Sequence, residues 1–188
     1  MSQHTLPQHA LNPVPFGLFG FALNSILFAG SNLGLYSFNS TLFAAALLLG
    51  GLAQGIAARY CAKQGDTFGL TSFGGYALYW WSLLLVINVP LLNPNWLPDN
   101  NAIAAYNGVW AVFTMQLGWL ARKLSISDQI IFACLAVIYL ALTAHAVTAI
   151  SGCLILAGIA GAVAGVTGLV AAQQLLAKSL QKKVLPSQ

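Results

Sequence analysis

The residues of this chain best suited to chemistry carry no charge. Asn12-Pro13-Val14-Pro15-Phe16-Gly17-Leu18 marks the point where a polar tail turns into an apolar run. Asparagine is a good N-cap, and proline costs little in a first helical turn because its missing N–H would be unpaired there anyway. The free N–H groups of such a start, with the positive end of the helix dipole, suit an anion without a lysine or arginine. Farther along, Gln54, Thr71, Tyr76, Asn107 and Thr114 interrupt otherwise apolar stretches. In hydrocarbon each must find a partner, and bonds between helices account for most such residues. Amides, hydroxyls and aromatic rings could also line a narrow wet path that binds a small polar solute weakly and releases it fast.

The titratable groups add little. His4 and His9 lie in the polar tail and read as solvated. His145 is near the end of an apolar stretch, where an ionisable group is a functional suspect. Proton handling is weighed there against a histidine satisfied at the membrane interface. Cys61, Cys134 and Cys153 are far apart with no paired spacing, so neither a zinc site nor a disulfide framework is readable, and apolar packing is the simplest role. No metal or cofactor is expected. There is no H-E-x-x-H, no pair of carboxylates and no nucleophile beside a base and an orienting acid, which argues against an enzyme.

A membrane must position these residues. Of 188 residues, 59% are hydrophobic and 5% charged, with no glutamate; a soluble domain carries about 25% charged residues. The net charge of +4 is too small and scattered to suggest nucleic acid. Six apolar stretches follow one another, over residues 16–36, 41–60, 68–89, 102–121, 127–146 and 148–176. Each is long enough to span a bilayer, which takes about 20 residues. Most breaks carry turn chemistry: Ser31 to Gly34, Lys63 to Asp66, Pro90 to Asn100 and Ser125 to Asp128. The last break, near residues 146–151, follows only from length, since residues 127–176 are too many for one span.

The charges agree with six spans. Arg59 and Lys63 follow the second, Arg122 and Lys123 the fourth, and Lys178, Lys182 and Lys183 the sixth. All seven basic residues thus fall on one side, which the positive-inside rule makes cytoplasmic. The expected organisation is an all-α integral membrane protein of the inner membrane with both termini inside. It has a flexible tail over 1–11, a six-helix domain over 12–177 and a basic tail over 178–188. The polar start lacks the positive region of a cleaved signal, so the first span is expected to stay. Gly51 and Gly55, and then Gly158, Gly161, Gly165 and Gly168, make faces for close helix packing, within one subunit or between subunits. Phe16-Gly17-Leu18 and Phe68-Gly69-Leu70 open two spans alike, a weak hint of a repeated unit around a pathway.

These motifs match a known pattern. Asn12-Pro13-Val14-Pro15-Phe16-Gly17-Leu18 resembles the N-P-x-P-x-G-L signature of the acetate uptake transporter family, the acetate/succinate permeases. Gly50-Gly51-Leu52-Ala53-Gln54 resembles that family's second-helix motif. Gly65-Asp66-Thr67-Phe68-Gly69-Leu70-Thr71-Ser72-Phe73, with Tyr76, is similar to its G-N-T-F-G-L-T-x-F stretch and following tyrosine. The resemblance implies a homohexamer with one pore per subunit for acetate, and for succinate as a second substrate. It also implies a constriction of a phenylalanine, a tyrosine and a leucine, which fall on Phe21, Tyr76 and Leu135. Gly74-Gly75 and His145 depart from the pattern.

The function expected is a membrane channel or proton-coupled permease for small monocarboxylates, with the lipid bilayer, acetate and further copies of the chain as partners. The alternative is a neutral-solute channel for urea or short amides. The pathway candidates are Asn12, Gln54, Thr71, Asn107 and Thr114, with His145 for proton handling.

Overall fold

The structure, a computed structural model, describes residues 11–184, with side chains through Gln181; His4, His9 and the side chains of Lys182 and Lys183 lie outside the described residues. Six helical rods follow one another, and the described residues contain no strand. They are α1 Val14–Asn32, α2 Ser40–Lys63, α3 Thr67–Leu92, α4 Asn100–Ala121, α5 Ile126–Thr148 and α6 Ser151–Val184. Five are long and apolar enough to cross a bilayer. The exception, α4, has the length, but Asn107, Thr114 and Gln116 dilute its apolar run.

Short polar side chains start the rods by accepting from otherwise unpaired N–H groups. Asn39 Oδ1 accepts from Thr41 N at 2.9 Å, Asp66 Oδ1 from Gly69 N at 2.8 Å, and Asp99 Oδ1 from Ala102 N at 2.7 Å. Ser125 and Asp128 form a reciprocal capping box. One boundary differs from expectation: the third rod runs through Pro90 to Leu92, because a proline this close to the end removes only one of the last hydrogen bonds. The last break falls within the expected stretch: the fifth rod ends at Thr148 and is capped by Ala149, left-handed at φ 57°, whose N–H donates to the His145 carbonyl at 2.8 Å.

The rods close into a ring in the order α3, α2, α1, α6, α5, α4. Neighbours along this order pack backbone to backbone, except α3 and α4. That gap is bridged by rings: Tyr76 to Phe113 at 5.7 Å, Tyr79 to Trp110 at 5.2 Å and Tyr79 to Tyr106 at 5.9 Å between centroids. Across the ring, α3 meets α5 through Phe68–Phe132 at 5.8 Å and Tyr79–Tyr139 at 5.0 Å.

The glycine faces lie inside the subunit. Gly158, Gly161, Gly165 and Gly168 of α6 face Leu33, Ala29, Ile26 and Ala22 of α1; a methyl on Gly165 would sit 2.6 Å from Ile26 Cγ1 and 2.9 Å from the Ala22 carbonyl oxygen. In α2 the helix widens to π-helical bonding over Ala46–Ala53. That segment presents Gly50 to the Trp80 ring and Gly51 to the Trp81 ring, with no room for a Cβ on either.

Candidate functional site

A cavity of about 260 Å³ opens where α1 begins, α2 meets α3 and α4 meets α5. This is the end that carries Arg59, Lys63, Arg122 and Lys123. Four helices supply its wall at helical spacing: Val14, Leu18 and Phe21 from α1, Gln54 from α2, Gly69, Ser72, Phe73 and Tyr76 from α3, and Asp128, Ile131, Phe132 and Leu135 from α5. Phe21, Tyr76 and Leu135 are each the lining residue farthest along their helix from this mouth. Phe21 lies seven residues beyond Val14, about 10 Å at helical rise. The three residues expected to form a constriction therefore all line the inner part of one cavity, and all three are buried.

Close packing holds them there. Gly17 has no side chain, so the Phe73 ring of α3 can lie against α1; a methyl there would sit 2.6 Å from Phe73 Cε1. Gly168 backs Phe21 in the same way, at 3.1 Å. The Tyr76 hydroxyl is 3.1 Å from Thr114 Oγ1, a group with no solvent exposure, which fixes the ring's angle. Beyond the neck the centre is filled by Tyr79, Trp80 and Tyr139, all buried, with the half-buried Trp110 packed against Tyr79. There the Ser82 and Tyr106 hydroxyls bond each other at 2.7 Å, and both reach the Tyr79 carbonyl.

Gln54 is 1% exposed, yet neither its Oε1 nor its Nε2 has a hydrogen-bond partner, and it lines the cavity. A buried amide left unpaired costs about 1–3 kcal/mol, which a solute in the cavity would relieve. Asn24, fully buried between α1 and the π-helical part of α2, is likewise unpartnered.

Several sequence candidates take other places. The anion site expected at the α1 start is depleted. Pro13 and Pro15 have no N–H, the Val14 N–H donates to Asn12 Oδ1 at 3.0 Å, and the Gly17 N–H donates to the Pro13 carbonyl at 3.2 Å. Asn12 is thus exposed and not the N-cap expected of it: Pro13 holds that position, and the Asn12 side chain only accepts from the Val14 N–H. Thr71 faces outward and donates back to the Thr67 carbonyl at 2.8 Å; one helical step of about 100° puts Ser72 on the cavity wall instead. Asn107 is buried but folded onto the Ile103 carbonyl at 3.0 Å, away from the cavity lining. His145 lies at the α5–α6 turn, its Nδ1 3.1 Å from the Ile150 carbonyl oxygen, at the end away from the cavity.

Sequence reasoning missed Asp66 and Asp128 as cavity residues, because their turn and cap roles were sufficient reasons for them. It also missed Leu18, Ser72, Phe73 and Phe132. Asp128, Ile131, Phe132 and Leu135 follow a 3–4 spacing that could have found that wall.

The chain has clear relatives. It is 33% identical over 186 residues to a Methanothermobacter thermautotrophicus protein, covering 94% of this chain and 90% of that one. It is 30% identical over 176 residues to the succinate-acetate/proton symporter SatP of Escherichia coli, covering 93% and 94%. Its fold superposes on the structure of the bacterial acetate channel SatP with a TM-score of 0.86 and 29% identity, over 96% of this chain and all of that one. The sequence model of the GPR1/FUN34/yaaH family matches residues 2–186, and the chain belongs to that family.

Proposed function

We propose that the protein passes small monocarboxylates across a membrane, acetate first, with succinate as a larger substrate. The observation that carries this reading is the cavity that ends at Phe21, Tyr76 and Leu135 with an unpartnered Gln54 in its wall. Gln54 Nε2 can donate to a carboxylate oxygen. With an undissociated acid, both amide atoms are satisfied at once, the acid hydroxyl donating to Oε1. The SatP relatives named for acetate support the substrate class. The basic end faces the cytoplasm of the inner membrane by the positive-inside rule. The working unit is a homohexamer with a pathway in each subunit. The outward apolar side chains of each subunit, Leu78, Leu85 and Val109 among them, meet lipid or a neighbouring copy.

A second reading, a channel for urea or short amides, draws on one feature: among the described residues no lysine or arginine lines the cavity. Uptake of labelled acetate and labelled urea into proteoliposomes, over a range of pH, separates the two. The proposal requires acetate uptake above protein-free liposomes; urea uptake without acetate uptake overturns it. Gln54→Leu is expected to lower acetate uptake about tenfold, the loss of one well-placed hydrogen bond, while the thermal midpoint in detergent holds or rises. Full acetate uptake by Gln54→Leu would remove the amide from the pathway.

A further inference from the structure

Two of the three acidic residues of the chain, Asp66 and Asp128, line the cavity, and among the described residues no basic side chain does. Two cations of that end turn onto aromatic rings: the Arg122 guanidinium lies 3.1 Å over the Trp119 ring, and Lys63 Nζ lies 5.1 Å from the Tyr60 ring centroid. The two carboxylates stand at the mouth, one on the cap of α3 and one in the first turn of α5. Deeper in the same cavity sits Gln54, buried, unpartnered and neutral. A vestibule built this way holds a solute by hydrogen bonds and meets it first with negative charge.

We propose that Asp66 and Asp128 are specificity-determining residues: they form a charge filter at the mouth that admits undissociated acids most readily, monoanions less and dianions least. The physical basis is the Boltzmann weight of a charge in a fixed potential. A mouth that thins a monoanion by some factor thins a dianion by the square of that factor. The filter rests on the transport reading above, and it predicts that acetate outruns succinate for a reason of charge as well as size.

The test uses the full-length protein in proteoliposomes at about pH 7.5, where free carboxylates are ionised. Asp66→Asn and Asp128→Asn preserve the local geometry, since an asparagine oxygen accepts the same backbone bonds. A barrier at one mouth is crossed in either direction, so the orientation of insertion does not matter. Each variant is expected to raise acetate flux about threefold and succinate flux about tenfold at low salt, as expected for one unit charge near the path. Raising salt from about 10 mM to about 500 mM should speed acetate in the wild type by up to about the product of the two single-variant factors and leave the double variant unmoved, because screening removes the field of both carboxylates. Asp99→Asn, at the opposite end, serves as a control with no change. Because asparagine keeps the caps, a purely capping role would leave both fluxes, their ratio and the salt response as in the wild type.

An unchanged succinate-to-acetate ratio together with an unchanged salt response in the double variant overturns the filter. Absence of acetate flux in the wild type overturns the transport reading instead, so the two failures are distinguishable.

Discussion

Phe21→Ala and Tyr76→Ala are each expected to let longer monocarboxylates through, raising the flux of butyrate relative to acetate about tenfold. In the proposed pathway Phe21, Tyr76 and Leu135, from three helices, form the neck, and removing one aromatic ring opens a gap wider than an added methylene. Apolar pockets discriminate one methylene by about 1–3 kcal/mol, so losing that wall should erase about a factor of ten or more. Tyr76→Phe isolates the hydroxyl. It keeps the ring, and with it the size limit, but leaves Thr114 Oγ1 without its buried partner, costing about 1–3 kcal/mol in stability. Competition of labelled acetate with unlabelled butyrate in proteoliposomes measures the first effect, and thermal unfolding in detergent the second. Acetate flux and butyrate ratio unchanged in both alanine variants, with the protein inserted, would remove the neck from the pathway.

The second large effect is structural. Gly165→Leu should abolish recovery of folded protein, because α1 and α6 approach with only hydrogen atoms between them at this point. The Ala22 carbonyl and the Ile26 side chain occupy the space that a leucine needs. Overpacking typically costs about 1–3 kcal/mol where neighbours can shift; here one neighbour is helix backbone, and four glycines in register leave no slack along the seam. Gly152→Leu, near the start of the same helix, meets only the tip of Ile150 at 3.8 Å and should be tolerated. Monodispersity after extraction reports both, and equal recovery of the two variants would contradict the seam.

Much of this architecture was legible in the chain. The turn chemistry of Ser31 to Gly34, Lys63 to Asp66, Pro90 to Asn100 and Ser125 to Asp128 and the spacing of basic residues mark the rod ends. The wall stripe Val14, Leu18 and Phe21 is visible at i, i+4 and i+7. The turn at Ala149 was legible only from length, because a left-handed alanine leaves no glycine or proline as a sign. The π-helical stretch of α2 is also silent, since the Gly50 and Gly51 contacts that accommodate it lie on Trp80 and Trp81, far away in sequence. The choice between Thr71 and Ser72 turned on helix phase, which adjacent hydroxyls cannot report. Asp66 and Asp128 escaped notice because a cap already explained each of them.

The gap between α3 and α4, spanned by rings where the other pairs touch by their backbones, has a kinetic consequence. A partition made of side chains can part by rotation about χ1 and χ2 while every helix stays where it is. Exposed side-chain torsions relax in picoseconds to nanoseconds and collective helix or domain motions in microseconds to milliseconds, and packing slows these rings to between those limits. A solute leaving past Tyr79, Tyr106 and Trp110 would therefore meet swinging shutters, and its transit need not wait for the scaffold to rearrange.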